Sequence, residues 1–428
     1  MTTESTLINA LANEKWRELL GRQLSIDPTE QLAANRELEA AIKDSHAQKS
    51  KDLWINHQQI PLLIEIAMTM QFPLPRGAFT SAEDQILDWF WKVQHPLIAP
   101  SIADFYASAS LRAKMSALVV LPMQRTPEAL TVLTRLIDQY GFPERMHARF
   151  FWELNECVDF ADLLLPQLLL RAGNQIGGIV DFVNVVDARG SLNPSHLRDA
   201  RELVEQSVAA AFGHVKQLQE TGGSRWRYQD AYLEVATPFG AYLDLLGLIP
   251  ETSIEPLHAA THLSDPRLLL IAAVALVKRG IEPPASSLET VAESHIERLE
   301  LHRILKNMGR LDLFPRAFLT FESFAASHMA SWLAYPAELG YEPALLELKA
   351  MIRGATEEGE RQWCLWRFAD DEGKAYAGVC GPYELDPSLE SLAHPDTFSN
   401  FTPWDEATPE EHLASVLETL SNWRISHR

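Results

Sequence analysis

Two histidines one helical turn apart make the simplest metal-binding pattern, and LHAATHL supplies one at His258 and His262. At i and i+4 the imidazoles share a helix face, and such a pair can ligate zinc. The glutamate that follows the first histidine of a zinc protease is missing. Glu255 and Asp265 lie near enough in sequence to join, but nothing in the spacing requires it. Both histidines therefore read as capping or core residues, and no metal is expected. In HIERLELH, His295 and His302 alternate with Glu297, Arg298, Glu300 and Arg303, the pattern of a solvated ion-pair face worth little per pair. Asp181, Asn184 and Asp187 do not keep calcium-loop spacing. Glu153, Glu156 and Asp159, clustered with Trp152 and Asn155 in FFWELNECVDF, have acid–base groups, although an amphipathic helix exposing its acids explains them more simply. GxSxG, P-loop and GxGxxG patterns are absent, so the common hydrolase, nucleotide and dinucleotide readings fall away and no cofactor is expected.

The chemistry that remains is electrostatic. The 428 residues carry 58 acidic and 37 basic side chains, a net charge of −21. That balance argues against unaided binding to nucleic acid or to an anionic membrane, both of which need a basic footprint. It suits a basic protein partner. From Ala355 to the end there are 15 acidic against 5 basic residues, so the C-terminal region holds about half of the excess. Three cysteines, Cys157, Cys364 and Cys380, are too few for a disulfide scaffold. The N-terminal MTTESTLINALANEKW lacks a basic segment followed by an apolar one, and the longest apolar run, Leu268 to Val277, is about half the ~20 residues needed to cross a bilayer. A cytoplasmic protein is expected.

Helical periodicity dominates the elements that must position these residues. TPEALTVLTRLIDQYG has Thr126 as N-cap, Pro127 at the first helical position, a stripe of Leu130, Leu133, Ile137 and Tyr140, and Gly141 as the stop. In TSAEDQILDWFWKV, Ser81 and Asp84 are placed for a capping box. Asn193 is set to cap a helix running to Val215. The run from Gly177 to Gly190 fits a strand or a helix. One hairpin stands out over Arg361 to Leu385. Cys364, Trp366 and Phe368 alternate with Trp363, Leu365 and Arg367, and the Asp371–Gly373 turn precedes a return through Tyr376, Gly378 and Cys380. This hairpin would bring Cys364 and Cys380 near each other, and in a reducing compartment they read as ordinary thiols.

Glycines followed by prolines punctuate the chain at Gly141, Gly247, Gly280, Gly309 and Gly340, the last four spaced 33, 29 and 31 residues apart. Each glycine can close a helix in the left-handed conformation, and each proline opens the next helix or blocks continuation of the last. A period of this length marks a stacked array. Ser264 to Gly280 resembles one unit of the HEAT-like helical repeat family. Asp265, Pro266 and Arg267 open it, Leu270, Ala272, Ala273, Ala275 and Leu276 pack it, and Gly280 closes it. The resemblance covers about Leu248 to Arg353 and extends over Thr126 to Gly173. It implies an α/α superhelix and, for most of the family, protein binding, with a minority of enzymes.

The expected fold is mainly α, a solenoid of stacked helical hairpins with a small β-hairpin element near the C-terminus. Residues 1–125 form an irregular helical region, 126–353 the HEAT-like repeats, and 354–428 an acidic element with the hairpin and a terminal helix. The expected function is non-catalytic: a scaffold that binds a basic protein partner, in the manner of an immunity or antitoxin-type inhibitor. The partner-binding residues are Trp363, Trp366, Asp370, Asp371, Glu372 and Tyr383, aromatic anchors in an acidic rim. The alternatives are an enzyme on the same scaffold, which would need metal ligands or an arginine-lined groove, and a structural adaptor with two separate apolar patches.

Overall fold

The computed structural model describes residues 3–49, 51–223, 225–249, 251–356, 359–385 and 396–426. Helices hold 64% of the described residues, and an antiparallel sheet lies near the C-terminal end. No helix among the described residues is long and apolar enough to cross a membrane. The chain divides into two compact units, Met1–Leu203 and Val204–Arg428.

In the first unit the helices pack in two rows. Ile60–Thr69 packs on Ile98–Phe105, which packs on Pro127–Tyr140, which packs on Ala161–Arg171. In the other row Ala82–Trp89 packs on Leu111–Met123, which packs on Ala148–Asn155, which packs on Ile176–Ala188. Each helix thus contacts the one two places ahead. The start signals work as read. Thr126 Oγ1 accepts the Ala129 N–H (3.3 Å), and Ser81 and Asp84 form a reciprocal capping box. The ambiguous run after Gly177 is helical, Ile176–Ala188, and Gly190 closes it at φ +67°. The stretch after Asn193 is two helices rather than one, Ser195–Arg198 and Arg201–Thr221. The Ala200 N–H bonds back to the Leu197 carbonyl (3.1 Å) and ends the first piece.

In the second unit Asp230–Leu248 packs on Pro266–Lys278, which also contacts Ala285–Glu293 and His295–Asn307. His295–Asn307 packs in turn on Phe321–Leu333. Pro266–Lys278 is buried almost all round, with Leu268–Leu270 and Ala272–Val277 inside. Asp265 caps it through the Arg267 N–H (3.0 Å). Its stop is a Schellman turn: the Gly280 N–H reaches the Val277 carbonyl (2.9 Å), the Ile281 N–H reaches that of Leu276 (3.0 Å), and Gly280 sits at φ +71°.

Gly141, Gly309 and Gly340 share that positive φ, but Gly247 does not. It lies inside Asp230–Leu248, and its role is close approach. A Cβ there would meet Ala275 Cα and Cβ at 2.8 Å. Gly247→Ala therefore forces two packed helices apart. It is expected to cost about 1–2 kcal/mol net, because overpacking of about 1–3 kcal/mol outweighs a helix-propensity gain of up to about 1. Urea unfolding of the variant against wild type checks this.

Four antiparallel strands, β1 (Leu345–Thr356), β2 (Gly359–Ala369), β3 (Ala375–Tyr383) and β4 (Asp396–Pro403), follow in the order β1-β2-β3-β4. The hairpin read from sequence is β2–β3, but it is the middle of a larger sheet, and β1 begins ahead of the 354 boundary expected for the C-terminal element. Both faces of the sheet are covered. Cys364, Trp366, Phe368 and Cys380 pack with Ala325, Met329 and Leu333 of Phe321–Leu333. Leu365, Ala377 and Val379 pack with Val416 of the last helix, Pro409–Ser426, and Trp363 lies against that cluster.

Candidate functional site

The covered sheet decides the fate of the residues expected to bind a partner. Trp366 is 1% exposed and donates its indole N–H to Cys380 Sγ (3.0 Å). Tyr383 is 4% exposed, with its hydroxyl 3.1 Å from His328 Nδ1. Neither is a surface anchor, because each lies under Phe321–Leu333, the helix that the hairpin reading did not supply. Trp363 is half-buried on the opposite face. Asp370 is a turn residue: its carboxylate accepts the N–H groups of Glu372 (3.0 Å) and Lys374 (2.9 Å) and the Tyr376 hydroxyl (3.2 Å). Asp371 is exposed but engaged, ion-paired with Arg225 and accepting the Tyr341 hydroxyl (3.0 Å). Arg225 also stacks on the Tyr341 ring, 4.0 Å from its centroid. Glu372, like Asp371, is exposed.

Beside this tie sits a buried carboxylate. Glu342 pairs with Arg227 and accepts from the His295 backbone N–H (2.8 Å) and Nδ1 (3.0 Å). Its own N–H donates to Tyr228 Oη (2.9 Å). Burial opposes its ionisation, yet the His295 hydrogen bonds and the Arg227 guanidinium hold its pKa at about 2. The neighbouring face of His295–Asn307 is not the solvated ion-pair face expected. Arg303 and Glu300 do pair in solvent. Arg298 is instead 4% exposed and bonds the carbonyls of Ala292 (2.6 Å), Ser323 (2.6 Å) and Glu293 (3.2 Å). Among the described residues, no group of three or more His, Cys, Asp or Glu side chains is placed to hold a metal ion.

The first unit holds the more open chemistry. A cavity of about 380 Å³ runs across three successive helices of one row. Ala82–Trp89 contributes Asp84 and Asp88, Leu111–Met123 contributes Ser116 and Val119, and Ala148–Asn155 contributes Arg149. Trp91, His147 and Phe79 complete the wall. The capping box and packing fix Asp84, which accepts from the Ser81 hydroxyl (2.9 Å) and the Ser116 hydroxyl (2.9 Å). Asp88, one turn further on, accepts no hydrogen bond from the described residues. Burial, and then the charge of Asp84, push its pKa up to about 7 against the pull of Arg149. Arg149 stacks on Trp91 at 3.8 Å and leans toward Glu153 (3.5 Å). Within that stack Arg149 Nε and Trp91 Nε1 are buried without a partner. Phe79 is fully exposed at the cavity, and Trp152 on Ala148–Asn155 is 68% exposed.

This arrangement can receive a positively charged or hydrogen-donating group at Asp88 and an apolar group at Phe79. The sequence signalled only part of it. Ser81 and Asp84 announce a cap, but nothing local marks Asp88 as half-buried, because its neighbours come from helices about 30 and 60 residues later. No protein-family model matches the chain, and neither a curated protein nor a solved structure gives a significant match.

Proposed function

We propose that this protein is a non-catalytic binding scaffold, built from helical hairpins in series as in HEAT-like arrays, that recognises a basic protein partner. The row packing of the first unit supports the serial reading, since an array is a set of units each contacting its neighbours. The observation that carries the binding reading is the cavity across three helices of one row, where Asp88 has no counter-ion at bonding distance among the described residues and Phe79 stands ready to be covered. An apolar anchor beside an unmatched charge is what an interface centre offers. An immunity or antitoxin-type inhibitor, masking a basic effector, fits the net charge of −21. The binding surface moves with this reading from the hairpin to the first unit.

The test uses synthetic peptides carrying one arginine or lysine between apolar residues, titrated by calorimetry in low salt. An acidic protein attracts any cation weakly, so the deciding comparison is the variant. Asp88→Asn and Phe79→Ala are each expected to weaken binding about tenfold, the ~1.4 kcal/mol of one good contact. Equal affinity for wild type and both variants sinks the reading. One observation favours the enzyme alternative: a carboxyl with pKa about 7 in a cavity is suited to general acid–base work. A turnover that depends on Asp88, with no peptide binding, would move the assignment there.

A further inference from the structure

We propose that Cys364 and Cys380 are a redox modification site, a dithiol that closes to a cross-strand disulfide with a low-molecular-weight disulfide as its oxidant. The two residues are direct partners in the β2–β3 register. Residues opposite one another in an antiparallel ladder have Cα atoms about 4.5–5.5 Å apart, inside the roughly 4.4–6.8 Å that a disulfide spans. Their side chains share one face and one core cluster. The register therefore places the two residues within the separation that a disulfide spans. Trp366, whose indole N–H points at Cys380 Sγ, can keep that contact when the sulfur becomes part of a disulfide.

Access sets the conditions. Both thiols are fully buried beneath Phe321–Leu333, with Cys380 Sγ 3.6 Å from the Ala325 carbonyl. The hydrogen bond to Cys380, together with burial, pushes the Cys364 thiol well above the ordinary range, so the packed native state is slow to react. Exchange proceeds while the helix is lifted or before it docks. One cysteine loses its proton and attacks the oxidant RSSR, giving a mixed disulfide and RS⁻. The second cysteine then attacks the protein sulfur of that mixed disulfide and releases the second RS⁻. In sum the oxidant's S–S bond breaks and is reduced to two RSH, which carry off the two thiol protons, while the protein dithiol is oxidised to one S–S bond. Once Phe321–Leu333 docks, the same burial shields the bond from reductant.

The full chain is refolded from denaturant in oxidised and reduced glutathione, then alkylated under denaturing conditions and weighed intact. Cys157 is the internal control: it lies in the first unit, where its thiol donates to the Pro122 carbonyl (3.4 Å). The expected product carries a single alkyl group, on Cys157, and peptide mapping joins Cys364 to Cys380. Cys157→Ser keeps the bond. Cys364→Ser leaves Cys380 alkylated or carrying glutathione. Should refolding fail, the same exchange is run on native protein in sub-denaturing urea. Three alkylated cysteines in both formats, or glutathione retained on Cys364 or Cys380 of the wild type without closure, overturns the proposal.

Discussion

Replacing Arg298 with alanine is expected to lower the stability of the second unit by about 3 kcal/mol: three carbonyls each lose a hydrogen bond from a charged donor worth about 1.5–3 kcal/mol, and relief of the buried guanidinium's desolvation offsets part of that sum. Those carbonyls belong to Ala292 and Glu293 at the end of Ala285–Glu293, and to Ser323 in Phe321–Leu333. The guanidinium therefore satisfies orphan acceptors of one helix while holding another. Burial lowers its pKa to about 10, which leaves it charged at neutral pH. Arg303→Ala, on the same helix but paired with Glu300 in solvent, is the control and is expected to shift stability by less than about 0.5 kcal/mol. Urea unfolding followed by tryptophan fluorescence checks both. Equal small losses would mean that backbone relaxation re-satisfies the Arg298 acceptors.

Asp88→Asn is expected to stabilise the protein at neutral pH and above. The folded pKa is about 7, raised from the usual 3.8 by burial and by Asp84. A raised carboxyl pKa means that the native state holds a proton that the unfolded chain has released between those two values. Stability therefore falls as pH rises from about 4 to 7, and the cost of ionised Asp88 is complete above 7. Asparagine keeps the shape and removes the charge. The variant should match wild type below pH 4, gain through the window, and level at about 2 kcal/mol above it, a part of the full linkage energy. Unfolding at pH 4, 6 and 8 checks the profile, and a gain independent of pH would show that charge is not the cause. With the proposed function, the same substitution trades stability against peptide binding, the usual cost of a site that keeps an unsatisfied charge.

What the sequence disclosed was local. The capping box of Ser81 and Asp84, the Thr126–Gly141 helix and the alternation through Trp363–Phe368 are each written within one or two turns of chain. Gly280 was legible for the same reason, since a left-handed stop is a property of its own backbone. Gly247 was not, because the atom that forbids its Cβ belongs to Ala275. Trp366 and Tyr383 misled for a related reason: an aromatic in an acidic strand is an anchor or a core residue according to what covers it, and the cover, Phe321–Leu333, is set by tertiary packing. Asp88 and Arg298 show the same limit for charge. An acid or a guanidinium is solvated by default, and only packing against distant helices takes either one out of water.

Arg225, Arg227 and Tyr228 hold Tyr341, Glu342 and Asp371 across more than 110 intervening residues. A string of repeats touches only its neighbours, so its ends fray first and unfolding travels inwards one unit at a time. Here the opening segment of the second unit is laced to the sheet that closes it. The helices between become a loop fastened at both ends, and loosening any one of them strains the lacing. Fraying is then expected to give way to all-or-none loss, and the β2–β3 turn, distant in sequence, holds the Arg225 end of that loop.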